Sequence, residues 1–168
     1  PFKEFIGRKG AKTALLILLF IFLYKIGDSM ATTLSTPFYL GLGFTKTEIA
    51  IIVKNVSLWT GFAGGILGVI WMIKIGINRA LWIFGFLQMI TILGFAWLAN
   101  IGYDTTILAI VVALEFFAAG LGTIAFVSFI AKTTNPRYTA TQFALFTSIG
   151  VGAVKLASAL TGYLVDFF

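Results

Sequence analysis

The stretch Ala14–Leu40, ALLILLFIFLYKIGDSMATTLSTPFYL, decides the fold because it is long and apolar enough to lie inside a membrane. Eleven apolar residues run without interruption from Ala14 to Tyr24, and Lys25 and Asp28 follow them. Placing a charge at the centre of a bilayer costs about 2.5–3.5 kcal/mol on insertion scales. Ionisable residues inside membrane segments are therefore functional candidates, and this pair indicates a transport protein.

The composition supports a membrane location for the whole chain. Of 168 residues, 60% are hydrophobic and 11% are charged, whereas soluble domains carry about 25% charged residues. Cysteine and histidine are both absent, which excludes disulfides, thiol chemistry and imidazole proton relays in this chain. We expect no metal and no cofactor. We also expect no enzymatic activity, because the sequence shows no pair of a nucleophile and a base. If protons move through the chain, we expect Asp, Glu and Lys to carry them.

Five apolar segments are each long enough to cross a bilayer core of about 30 Å, which takes about 20 helical residues. The predicted fold class is therefore all-α, a polytopic membrane helical bundle in a single domain, which we expect to be a piece of a longer protein. Turn-forming residues separate the segments, and Thr45 with Glu48 fits a capping box before the second. The helices are predicted near residues 12–40, 46–73, 79–99, 106–131 and 139–167.

Basic residues predict the orientation of the chain in the membrane. One side of the five-span arrangement carries eight of them, and the opposite loops carry only Lys46. By the positive-inside rule, residue 1 is cytoplasmic and residue 168 lies on the far side. The net charge of +6 reflects this asymmetry, so we expect no nucleic-acid partner. The eight are Lys3, Arg8, Lys9, Lys12, Lys74, Arg79, Lys132 and Arg137.

Polar residues of the first helix fall on one face. With 100° per residue, seven of them share an arc of about 120°. Such a stripe favours a helix that lines a polar cavity; the alternative is an internal ion pair between Lys25 and Asp28 that satisfies only itself. The seven are Lys25, Asp28, Ser29, Thr32, Ser35, Thr36 and Tyr39.

The second helix combines Lys54 with glycines at small-xxx-small spacing. The pairs Gly61/Gly65 and Gly64/Gly68 let another helix approach closely. Tight packing is the simpler interpretation of these glycines, and a moving helix interface is the other. Lys54 either faces a cavity or extends its ammonium group toward the membrane surface.

Glu115 lies within the fourth helix, on the same face as Ala118, Ala119 and Gly122. Small residues there predict a close neighbouring helix. Desolvation in such a place favours the protonated carboxyl, which allows proton loading and release. The alternatives are a structural hydrogen bond from a permanently protonated Glu and a salt bridge to a lysine.

Lys155 lies deep in the fifth helix, after sixteen helical residues. A buried Lys needs an anion beside it, and the candidates are Asp28, Glu115 and an anionic substrate. Gln142 lies near the cytoplasmic end of the same helix and is a further candidate for the cavity lining.

Four stretches carry a resemblance to a known family. They are LYKIGDSMATTLSTPFYLGLGFT (Leu23–Thr45), INRALWIFGFLQ (Ile77–Gln88), LEFFAAGLGTIAFVSFI (Leu114–Ile130) and YTATQFALFTSI (Tyr138–Ile149). In order and spacing these stretches resemble the AmpG-type muropeptide permeases of the major facilitator superfamily. The resemblance covers nearly the whole chain and corresponds to helices seven to eleven of that fold, within its C-terminal half.

The resemblance implies proton-coupled import of anhydro-muropeptides across the bacterial inner membrane for peptidoglycan recycling. The implied partners are the muropeptide, protons, membrane lipid and the N-terminal half of the same transporter. We expect Asp28 and Glu115 to couple protons. The cavity-lining candidates are Lys25, Ser29, Thr32, Thr36, Tyr39, Lys54, Gln142 and Lys155. The alternatives are a facilitator for another anionic solute, such as acyl-CoA, and a proton-conducting subunit of an energy-transducing complex.

Overall fold

The computed structural model describes the backbone of residues 2–167 and the side chains of residues 4–27, 29–30 and 32–160. A short helix precedes a series of long ones, and α3, a π-helical segment and α4 continue into one another without a break. The bounds are α1 (Phe2–Lys9), α2 (Ala11–Gly41), α3 (Lys46–Glu48), the π segment (Ile49–Val53), α4 (Lys54–Ile75), α5 (Ile77–Ile101), α6 (Thr105–Thr133) and α7 (Thr139–Phe167).

Five helical stretches are long and apolar enough to cross a membrane, so the predicted all-α membrane fold class is confirmed. Their ends lie within two residues of the predicted ones. The apolar pattern did not predict α1, because four of its eight residues are charged. The single domain and the cytoplasmic position of residue 1 stay predictions. The five spans are Ala11–Gly41, Lys46–Ile75, Ile77–Ile101, Thr105–Thr133 and Thr139–Leu160.

Two local devices set where the helices begin and end. Gly76, with φ of 82°, is the single residue between α4 and α5, and a left-handed φ of this kind favours glycine. The capping box before α3 is confirmed: Glu48 N–H donates to Thr45 Oγ1 (3.2 Å), and Thr45 N–H donates to Glu48 Oε2 (2.8 Å).

The chain forms two compact units, and residues 36–129 make up one of them. Its buried core has two clusters. One joins the end of α2 to α5 and α6 through Tyr39, Leu98 and Val111. The other joins α5 to α6 through Phe84 and Leu121. Burial of these side chains fixes the pairing of α5 with α6, on which the site described below depends.

The second unit comprises residues 1–35 and 130–168. Here the Phe5 ring of α1 packs edge-on against Phe146 of α7, with centroids 4.9 Å apart. Ile21 of α2 and Ala153 of α7 are also fully buried. The core of this unit therefore holds α1, α2 and α7 together.

Large apolar side chains cover much of the outer surface. Trp82 is 84% exposed and Ile73 is 78% exposed. Exposed apolar side chains on this scale are expected where helices face lipid tails.

Candidate functional site

Glu115 is buried in the middle of a membrane span. Its side chain is 8% exposed, and it follows the start of α6 by ten residues, or about 15 Å. The Thr91 hydroxyl of α5 lies 2.7 Å from Glu115 Oε2 and 2.9 Å from the Gln88 carbonyl oxygen. Gln88 is also buried, at 8% exposure. A carboxyl and a hydroxyl therefore lie in contact at membrane depth, and the buried residue Gln88 lies on the preceding turn of α5.

Close contact between α5 and α6 holds this cluster together. A Cβ added at Gly94 would lie 3.2 Å from Val111 Cγ1, so the two helices approach each other closely at this glycine. Thr91 meets Glu115 and Gly94 meets Val111, a pairing that shows the two helices to be antiparallel. The close neighbour predicted for the Glu115 face is thus confirmed, and it is α5.

Glycines also bring the backbones of α4 and α6 into contact. A Cβ added at Gly64 would overlap the Phe117 carbonyl group, and one at Gly68 would lie 3.2 Å from Leu121 Cα. From the other side, a Cβ on Gly120 would lie 3.0 Å from the Gly65 nitrogen. The tight packing predicted from small-xxx-small spacing is confirmed for these glycines.

Lys54 immediately follows the π-helical segment and is exposed. A π segment adds one residue to a helical turn, and such segments are frequent at functional sites. Nothing in the residue pattern of this region signals a π turn, and the cavity-lining role of Lys54 stays a prediction.

Lys25 lies where α2 contacts α7. A Cβ added at Gly150 would lie 3.5 Å from Lys25 Cγ, so the lysine stem passes over a glycine. Thr33 Oγ1 and Ser158 Oγ are 3.5 Å apart in the same helix pair. Equal steps along both helices show that α2 and α7 are parallel. This is expected for the first and fifth spans of a chain that crosses a membrane back and forth.

The structure separates the polar stripe of α2 into different environments. Thr32 and Thr36 are exposed, whereas Ser29 is 7% exposed and its hydroxyl donates to the Lys25 carbonyl oxygen at 2.6 Å. Tyr39 is 1% exposed, and its ring lies 6.2 Å from that of Phe95. The Asp28 side chain lies outside the described residues. The cavity-lining roles of these residues stay predictions.

Lys155 and Gln142 occupy opposite kinds of place on α7. Lys155 is exposed, as are Thr141 and Ser148, which share its helical face. Gln142 is fully buried. Its Nε2 donates to Glu4 Oε2 at 2.6 Å, and its Oε1 accepts from the Asn135 N–H at 2.7 Å. Gln142 therefore joins α7 to α1, which its place in the sequence did not predict.

A polar network around Glu4 fastens α1 to the α6–α7 connector. Asn135 Nδ2 donates to Glu4 Oε1 at 2.6 Å, Arg8 Nε lies 3.2 Å from the same oxygen, and Arg8 Nη2 donates to the Thr133 carbonyl oxygen at 2.8 Å. The hydrogen bond from Asn135, together with the one from Gln142 and the Arg8 charge, lowers the pKa of Glu4. The network links residues about 130 positions apart, so no local sequence signal identifies it.

A second polar contact joins α3 to the α5–α6 connector in the other unit. The Tyr103 hydroxyl donates to Glu48 Oε1, and the Tyr103 and Phe44 rings lie 4.7 Å apart. The hydrogen bond to Glu48 raises the pKa of Tyr103. Sequence reasoning identified Glu48 as a helix cap and missed Tyr103, which lies 55 residues further along the chain.

Comparison with known proteins gives relatives over nearly the whole chain, although no family model matches it. An uncharacterized protein of Haemophilus influenzae is 51% identical over 98% of this chain. A putative transporter AmpG 4 of Rickettsia felis is 41% identical over 99% of it. The anhydromuropeptide permease of Escherichia coli K12 is 34% identical over 99% of it. The chain spans 40%, 39% and 33% of the lengths of these three relatives, respectively.

Proposed function

Because the chain is a homologue of the AmpG-type transporters of the major facilitator superfamily, we propose that it forms part of a proton-coupled secondary transporter. Its cargo is an anhydro-muropeptide, which it carries inward across the bacterial inner membrane for peptidoglycan recycling. The remaining helices, including the N-terminal half of the transporter, complete the pathway. Such transporters typically work by alternating access, in which two helical bundles rock about a site near the membrane midplane.

The burial of Glu115 is the observation that carries the proposal. A carboxyl about 15 Å inside a span is costly when ionised, and its nearness to Thr91 gives it a hydrogen-bond partner. A buried carboxyl of this kind binds and releases a proton when its surroundings change between two conformations. We assign proton coupling to Glu115, and to Asp28 as the second carboxylate.

Polar side chains on α2 and α7 suit the proposed cargo. An anhydro-muropeptide presents sugar hydroxyls, N-acetyl groups and carboxylates, which lie on the peptide when one is attached and on the muramic acid lactyl group when none is. The exposed Thr32 and Thr36 hydroxyls can donate to and accept from the sugar groups. Lys25 and the exposed Lys155 supply cations for the carboxylates. We therefore propose hydroxyl contacts for the sugar and lysine contacts for the peptide.

Competition for uptake tests this assignment of the cargo. The full-length protein is placed in vesicles with an inward proton gradient, and accumulation of labelled anhydro-muropeptide is followed. Unlabelled muropeptide should compete, and Lys25→Gln should weaken competition by peptide-bearing cargo more than competition by the peptide-free disaccharide. Equal loss of affinity for peptide-bearing and peptide-free cargo in Lys25→Gln would contradict the lysine contact. Competition by acyl-CoA in the absence of competition by muropeptide would show that muropeptide is not the cargo.

A further inference from the structure

Thr91 has two hydrogen-bond acceptors within reach but only one proton. Its hydroxyl lies 2.9 Å from the main-chain carbonyl oxygen of Gln88 and 2.7 Å from Glu115 Oε2. A hydroxyl donates one hydrogen bond and accepts two, whereas a carbonyl oxygen only accepts. Full hydrogen bonds at both contacts therefore require that Thr91 donates to Gln88 and that Glu115 donates to Thr91. That arrangement needs a protonated Glu115.

An ionised Glu115 requires the opposite arrangement. A carboxylate only accepts hydrogen bonds, so the Thr91 hydroxyl must turn its proton from the Gln88 carbonyl to Glu115. The hydroxyl rotates and neither gains nor loses a proton. The new hydrogen bond is charge-assisted, and such bonds are about twice as strong as neutral ones.

We propose that Thr91 is a positioning residue for proton coupling, which accepts from Glu115 in its protonated state and donates to it after proton release. The proposal rests on the proposed role of Glu115. Both contacts can be full hydrogen bonds at once only in the protonated state, and ionisation of Glu115 gives up the one to Gln88. Rotation of one hydroxyl then stabilises whichever protonation state the transport cycle requires.

Among the described residues of α4 and α5, the charged side chains lie away from the Thr91–Glu115 contact along their helices. α5 faces Glu115 with Thr91, and α4 reaches the neighbouring residue Phe116 through Gly61. Lys54 precedes Gly61 by seven residues, or about 10 Å along α4. The end of α2 contributes Tyr39 to a cluster that touches Phe116. The other charged residues of α4 and α5 are Lys74 and Arg79, which lie near helix ends.

Infrared difference spectra between wild type and variants test the hydrogen bond between Thr91 and Glu115 without a transport measurement. The full-length protein in vesicles should show a carboxyl C=O band that disappears in Glu115→Gln. Thr91→Val keeps the side-chain shape and removes the hydroxyl, so it should shift this band, and Thr91→Ser should restore it. Thr60→Val is the matched control, because Thr60 only donates to the carbonyl of its own helix (2.7 Å). An unchanged band in Thr91→Val, or no Glu115-dependent band, would overturn the proposal.

Transport then separates positioning from a purely structural role. Gradient-driven accumulation should fall about tenfold in Thr91→Val, because a hydrogen bond to a charged group is worth at least that. Cargo exchange without a gradient should stay within about twofold of wild type, since it needs no net proton release. Equal losses in both assays would overturn the proposal. If wild type transports no muropeptide, the proposed function fails, and the infrared comparison still decides the role of Thr91.

Discussion

At the residue scale, burial distinguishes Glu115 from the lysines that share the membrane region. Lys54 and Lys155 are exposed, whereas Glu115 is 8% exposed. A lysine has a long stem and can move its ammonium group toward water or headgroups. A glutamate has a shorter stem and stays where the backbone places it. Deep burial therefore has a larger effect on the charge state of Glu115, which makes it the stronger candidate for proton coupling.

Acid should release α1 from the α6–α7 connector through Glu4. Hydrogen bonds from Asn135 and Gln142 lower the pKa of Glu4 below its ordinary value of 4.5. A lowered pKa means that the folded state favours the carboxylate, so its contribution is complete above pH 4.5 and is lost as the pH falls through the lower folded value. Amide exchange in α1, corrected for the intrinsic rate, should therefore accelerate on acidification in wild type.

The matched variant for this prediction is Glu4→Gln, which keeps the side-chain size and removes the titrating group. Its α1 amides should exchange faster than wild type at neutral pH and show no acceleration on acidification. The same acceleration in wild type and variant would show that Glu4 does not fasten α1.

At the element scale, the helices themselves follow from the apolar pattern, and their partners do not. Continuous apolar runs predict spans because the membrane leaves few other structures for the backbone. Glycine spacing predicted that α4 packs tightly, but only the structure shows that it meets α6 at Gly64 and Gly120. The π segment before Lys54 and the contact between Thr91 and Glu115 depend on tertiary packing. Local sequence therefore does not reveal them.

Gly64→Ala should push α4 away from α6. The added Cβ would overlap the Phe117 carbonyl group, which is backbone and cannot rotate aside. Overpacking of this kind typically costs about 1–3 kcal/mol, and thermal unfolding in detergent should show the loss. Gly85→Ala on α5 is the control, because nothing lies within 4 Å of its added Cβ. It should be neutral or stabilising by up to about 1 kcal/mol. Equal stability of the two variants would contradict the close α4–α6 contact.

At the scale of the whole molecule, the sequence predicts the direction in which the chain crosses the membrane. Eight basic residues on one side and Lys46 alone in the opposite loops give this direction. The parallel contact of α2 with α7 supports alternating crossings within one unit. The positions of the spans could be predicted because they depend on the length of the apolar runs. The orientation is predicted from the basic residues. The hydrogen-bonded networks could not be predicted, since they join residues far apart in the chain.

Cysteine labelling tests this orientation, because the 168 residues contain no native cysteine and any cysteine elsewhere in the full-length protein can first be replaced by serine. Thr47, in α3, is exposed and is predicted to lie on the far side of the membrane. Arg137, in the α6–α7 connector, is exposed and is predicted to lie on the cytoplasmic side. In intact cells, a thiol reagent that cannot cross the membrane should label the Thr47→Cys variant and spare the Arg137→Cys variant until the membrane is opened. The reverse labelling pattern would contradict the predicted topology.

Cargo-dependent proton entry tests the central claim most directly. Vesicles that contain the full-length protein and a trapped pH indicator receive anhydro-muropeptide with no imposed gradient. We predict that the lumen of wild-type vesicles acidifies as cargo enters, and that cargo enters Glu115→Gln vesicles without acidification. Entry of cargo into wild-type vesicles with no accompanying protons would contradict proton coupling, as would unchanged acidification in Glu115→Gln.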